Sequence, residues 1–129
     1  MRRELTIEGG RAPDDVWDRY VRPARWPEWS PQISSVEYAS ERLLGGTAGV
    51  VHAVCGVRVP FTVLAVDEAD PADSSWTWQA RVMGIELAFE HVVEPAPAGT
   101  VTRLIVTGPA PLVLGYLPVA WLALRRLVS

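Results

Sequence analysis

A chain of 129 residues, 49% of them hydrophobic, is sized for one domain with a single core and is too apolar to be disordered. Its formal charge of −3 leaves no basic excess to hold phosphate, so nucleic acid is not an expected partner. The lone Cys55 excludes an internal disulfide and a thiolate metal cluster, and all 12 basic residues are arginine, as codon bias in a GC-rich genome would produce.

The opening MRRELTIEGG carries two arginines but no apolar run of a secretory signal, which makes the cytoplasm the expected location. Leu5 to Glu8 within it reads as a first strand, and a helical pair follows from Pro13 to Gln32. Pro13 suits a first helical turn, where a missing N–H is harmless, and Asp14 and Asp15 suit the positive end of the helix dipole. Val16, Trp17, Tyr20 and Val21 recur at helical spacing, and Pro23 ends the run. The next residues, Trp26-Pro27-Glu28-Trp29-Ser30-Pro31, read as a short, stiff second helical turn. Two indoles on a connector, rather than in a strand or long helix, suggest a platform for another group.

Strands are expected at Ser34 to Ala39, Thr47 to Val54, Val57 to Val66, Ser75 to Val82, Ile85 to Glu94 and Thr100 to Thr107. The turns between them fall near Gly45-Gly46, Cys55-Gly56, Asp67 to Asp73 with Pro71 as its bend, Met83-Gly84, and Pro95 to Gly99. Cys55 in this apolar surrounding reads as a small buried hydrophobe. No linker, repeat or low-complexity block divides the chain.

The stretch Leu104 to Leu124 has no charged residue, but Gly108, Pro109, Pro111, Gly115 and Pro118 interrupt it. The remaining run from Leu112 to Leu124 is shorter than the ~20 residues of a spanning helix, so a C-terminal helix on the domain is expected and membrane contact is not. Its inward stripe reads as Leu112, Val113, Tyr116, Leu117, Ala120, Trp121 and Leu124, with a kink or restart at Pro118. Leu114, Val119, Leu122 and Ala123 make the opposite side apolar as well, so that side is covered by a partner subunit or touches lipid or a carrier protein, and of these a homodimer through the helix is expected.

Strand alternation sorts the side chains further. Glu86, Glu90 and Glu94 share one face of their strand, with Arg81 and Arg103 expected beside them, while Ile85, Leu87, Phe89, His91 and Val93 share the other. Trp76 and Trp78 alternate with Thr77 and Gln79. A strongly apolar inner surface follows, with Trp26, Trp29, Trp76, Trp78, Leu87, Phe89, Tyr116 and Trp121 as candidate ligand-binding residues.

No zinc-ligand spacing, phosphate-cradling glycine loop, nucleophile elbow or carboxylate pair is present, so neither a metal nor a cofactor is expected. His91 is the candidate acid–base group, set against the plainer role of a core or rim histidine bonded to a backbone carbonyl. His52 has apolar neighbours on both sides and no assignable direction, and Arg58 reads as an outer-face charge.

The strand, Val16-Trp17-Asp18 helix, Trp26-Pro27-Glu28-Trp29 turn, strand run and final helix resemble, over the whole chain, the START/Bet v 1-like (SRPBCC) superfamily and its bacterial polyketide cyclase/dehydrase-like group. The resemblance implies an α+β helix-grip fold: a seven-stranded antiparallel sheet curved around the C-terminal helix, with two short helices after the first strand and an apolar cavity inside. It implies a small hydrophobic metabolite as ligand, and either a cyclase/dehydratase without metal or a non-catalytic carrier; a protein docking through its apolar helix is the third reading. In the aromatase/cyclases of that group a pocket tyrosine follows the Trp-Pro motif and a pocket arginine precedes the acidic loop. Ile33 and the run Leu64-Ala65-Val66 stand there in this chain, so that acid–base pair is not expected.

Overall fold

The computed structural model describes residues 1–68, 70 and 73–129. Seven strands form one antiparallel sheet: β1 (Arg2–Gly9), β2 (Ile33–Tyr38), β3 (Ala48–Ala53), β4 (Arg58–Asp67), β5 (Ser74–Val82), β6 (Ile85–Ala96) and β7 (Gly99–Thr107). Their spatial order is β1-β7-β6-β5-β4-β3-β2. Strands consecutive from β2 to β7 are neighbours, as short hairpin connections dictate. β1 and β2 occupy opposite edges, so the chain between them crosses the full width of the sheet. It does so through α1 (Pro13–Val21), a short 3₁₀ turn at Pro23–Arg25, and α2 (Trp26–Trp29). The acidic turn expected around Pro71 falls partly on Ala69, Pro71 and Ala72, which lie outside the described residues.

The two tryptophans after α1 have a physical task that their spacing did not disclose. In a continuing helix the carbonyl of Arg19 would accept from the N–H of residue 23, but Pro23 has none. The indole N–H of Trp29 donates to the Arg19 carbonyl at 3.2 Å, and that of Trp26 donates to the Tyr20 carbonyl at 2.8 Å. Both rings are buried, and they act as a cap on α1 as well as a wall of the interior.

α3 (Ala110–Val128) lies against β1 and β7. Its buried stripe is Val113, Ala120, Ala123, Leu124, Leu127 and Val128, a run of i, i+3, i+4, i+7 positions. This corrects the expected stripe at two places: Ala123 faces in, and Trp121 faces out at 46% exposure with the Arg125 guanidinium over its ring. An inward arc centred between Ala120 and Leu127 takes in Ala123, about 50° to one side, and leaves Trp121 about 110° away on the other, because each residue turns about 100°. The helix runs through Pro118 without a break. Pro118 is on the exposed side, as is Leu114, whose carbonyl lacks the N–H that a residue other than proline at 118 would donate.

The last carbonyls of α3 are tied to the helical crossing. The backbone N–H of Arg11 donates to Val128, and Nη1 of the buried Arg19 donates to Arg126 at 3.0 Å and Leu127 at 2.8 Å. Gly9 is needed for this approach, since a Cβ there would lie 2.3 Å from the Val128 carbonyl oxygen.

On the outer face Arg103 meets Glu94 and Glu4, and Arg81 stands opposite Glu86 in register. His52 and Arg58 both reach Glu37 there, which settles the direction of His52. Cys55 is exposed, not buried, because it sits in the β3–β4 turn rather than in a strand. Ile85 is likewise 43% exposed, at the end of β6 beside the Met83-Gly84 turn. That turn takes positive φ at both residues, 52° and 81°, as a two-residue hairpin connection requires.

Candidate functional site

The register of β5 and β6 builds one wall of the interior. Trp76 stands opposite His91, Trp78 opposite Phe89, and Ala80 opposite Leu87, all on the face toward α3. Cross-strand neighbours on one face stack, and here they form a row: Phe89 to Trp78 at 4.4 Å, Trp78 to Trp76 at 5.5 Å, and Trp76 to His91 at 4.7 Å. Interplanar angles in the row stay between 11° and 19°. Trp26 packs on Trp76 at 5.6 Å and joins the row to the helical crossing.

Between this wall and α3 lies a cavity of ≈ 190 Å³. Of the candidate residues, Trp26, Trp29, Trp76, Trp78, Leu87, Phe89, His91 and Tyr116 line it; Trp121, on the outer side of α3, does not. α3 contributes Ala120, Ala123 and Leu124 beside Tyr116, and the small alanines leave the space that larger residues would fill. Ile33 lines the cavity at the position where the resemblance implies a tyrosine. No charged side chain is among the lining residues.

His91 is 3% exposed and bonds a side chain rather than a backbone carbonyl. Its Nδ1 lies 3.2 Å from the Tyr20 hydroxyl, which lies 2.5 Å from the Thr102 hydroxyl. If Tyr20 donates to Thr102, Nδ1 carries the proton and Nε2 is an acceptor; if Tyr20 donates to Nδ1, Nε2 is a donor. In either case Nε2 is buried without a partner among the described residues. Burial pushes the imidazole down to about 3, so it is neutral at physiological pH. Burial also raises the Tyr20 phenol well above its ordinary value and the Tyr116 phenol to about 12.

Tyr20 and Thr102 were not marked by their sequence positions as partners of His91. The alternation Thr100, Thr102, Leu104, Val106 does place Thr102 on the inner face of β7, but nothing in the spacing links it to a helix 82 residues earlier.

The sequence model of a family described as polyketide cyclase / dehydrase and lipid transport matches residues 2–127. Protein MLL2253 from Mesorhizobium loti superposes with a TM-score of 0.78 at 16% identity, covering 98% of this chain and 93% of that one. Ara h 8.0201 gives 0.77 at 18% identity, over 98% of this chain and 94% of its own. The di-domain ARO/CYC BexL from the BE-7585A biosynthetic pathway gives 0.77 at 19% identity; this chain is covered to 99% and spans 45% of that protein. At these identities the likeness is one of fold. No curated protein matches the chain.

Proposed function

We propose that this chain, which belongs to the polyketide cyclase / dehydrase and lipid transport family, binds a small hydrophobic metabolite in the cavity under α3 and shapes it for ring closure or dehydration. The observation that carries this reading is the cavity itself: ≈ 190 Å³ of space walled by stacked aromatic rings, with a buried imidazole nitrogen in its lining that has no partner among the described residues. Confining a flexible molecule removes conformations that cannot react, and this alone supplies rate where strong acids and bases are absent. His91 would serve as a neutral hydrogen-bonding group, held in direction by Tyr20; an imidazole depressed to about 3 stores no proton near neutral pH. Outward-facing Trp121 takes no part in this reading.

The same depression of His91, together with a lining free of charge, favours a second reading in which the protein carries or sequesters its ligand without changing it.

Two measurements test these readings. A small naphthyl fluorophore should enter the cavity and quench tryptophan emission, and Ala123→Phe, which fills the space from α3, should abolish uptake while the protein stays folded. Equal uptake by both proteins would sink the binding proposal. Mass spectrometry of organic extracts from purified protein then supplies the ligand for turnover assays. Conversion that is lost in His91→Phe with ligand retained supports the enzyme; recovery of unchanged ligand from both proteins supports the carrier.

A further inference from the structure

Trp121 is exposed on α3, and the indole N–H groups divide the other five tryptophans into two sets. Trp26 and Trp29 donate to the carbonyls of Tyr20 and Arg19, and Trp17 donates to the Glu68 carboxylate at 3.1 Å. Trp76 and Trp78 are different: the Nε1 of each is buried and has no acceptor among the described residues. These are the two that stand side by side in the cavity wall, 5.5 Å apart and nearly parallel. A buried donor without an acceptor is costly, and native interiors rarely leave two together unless something else supplies the acceptor.

The rest of the cavity limits what that acceptor can belong to. Its lining has no cation to offset a carboxylate or phosphate, so a charged ligand would lose its hydration without compensation. Its ≈ 190 Å³ is near the scale of an apolar cavity of about 150 Å³ that takes up benzene, and below the roughly 300 Å³ at which sites for drug-sized molecules begin. An extended chain does not fit inside; one or two rings do.

We propose that the cavity takes a compact, uncharged, one- or two-ring ligand with a carbonyl-type oxygen, which the indole N–H groups of Trp76 and Trp78 meet. This rests on the binding reading above and adds to it the chemistry and size of the ligand.

The test uses 1-tetralone, the matching hydrocarbon tetralin, and hexadecanoate. Calorimetric titration of the native protein, Trp76→Phe and Trp78→Phe with the first two gives the ketone-to-hydrocarbon affinity ratio for each protein. Losing one hydrogen bond should lower that ratio by roughly tenfold in each variant while tetralin binding changes little. In the native complex the carbonyl stretch of bound tetralone should lie at lower frequency than in an apolar solvent, a readout that needs no variant to fold. Hexadecanoate should bind more weakly than tetralone. An unchanged ratio with an unshifted carbonyl band overturns the donor assignment and leaves apolar binding standing. Tighter binding of hexadecanoate overturns the compact, uncharged ligand. If neither tetralone nor tetralin binds at millimolar concentration, the binding reading falls along with this one.

Discussion

The Tyr20 hydroxyl lies 3.2 Å from Nδ1 of His91, so a residue of the first helix orients an imidazole 71 positions later on β6. The bond passes on to Thr102 of β7, and the three side chains make a buried polar line.

Removing the middle member should free the imidazole. Tyr20→Phe is expected to lower stability by about 1–2 kcal/mol, the cost of a buried hydrogen bond and its stranded partners. A purely structural role for Tyr20 would predict that loss alone. A positioning role predicts also that the ¹⁵N shifts of His91 Nδ1 and Nε2 change their pattern as the preferred tautomer changes. Identical imidazole shifts in the two proteins would show that Tyr20 does not set it.

The depressed imidazole makes stability depend on pH with a definite sign. His91 titrates at about 3 when folded and near 6.5 when unfolded, so between those values the unfolded chain binds the extra proton. Stability is therefore full above pH 6.5 and falls as pH drops through the window, by about 1.4 kcal/mol per pH unit from this one group. Asp15 and Asp18, both held below the usual carboxylate range with bonds to arginines, add a loss of the same sign at lower pH. His91→Phe keeps those carboxylates and removes the imidazole, so its stability should be flat between pH 6.5 and 4.5 where the native protein slopes. Urea melts at several pH values compare them; parallel curves would place His91 in contact with solvent.

Arg19 in the last turn of α1 and Arg22 just after it should differ greatly when shortened. Arg19 is 7% exposed and caps two carbonyls of α3, so Arg19→Met leaves them without a donor and should cost roughly 2–3 kcal/mol. Arg22 makes a surface pair with Asp18, and Arg22→Met should cost less than ~1 kcal/mol. Equal thermal melts for the two variants would mean that the tie between α1 and α3 is dispensable.

The outer side of α3 leaves Leu114, Val119, Trp121 and Leu122 between 36% and 49% exposed on one helix. By length and composition this helix is long and apolar enough to cross a membrane, with 33% of its apolar window buried against the domain. A patch of this kind is one that monomers in water usually avoid, and we expect a homodimer through it. Leu122→Glu should yield a folded monomer, since the buried stripe is untouched. Sedimentation showing native protein as a monomer at high concentration would end this expectation, and unfolding of the variant would mean that Leu122 packs inward in solution.

Much of this molecule was legible in the order of its residues. The strand alternation from Ser75 to Glu94 placed Trp76, Trp78, Leu87, Phe89 and His91 on one face, because side-chain direction in a strand depends only on parity. Pro13, Pro23 and the Met83-Gly84 turn marked their boundaries for equally local reasons. What the residues could not reveal by themselves depended on rotation and distance. Whether Ala123 or Trp121 faces the sheet is a matter of how α3 is rolled about its axis, and with both sides of the helix apolar the periodicity left that roll undetermined. The partnership of Tyr20, His91 and Thr102, and the indole bonds that fill the gap left by Pro23, join positions whose separation along the chain carries no signal. Such contacts exist only once the helical crossing packs against the sheet, and that packing is a property of the whole molecule.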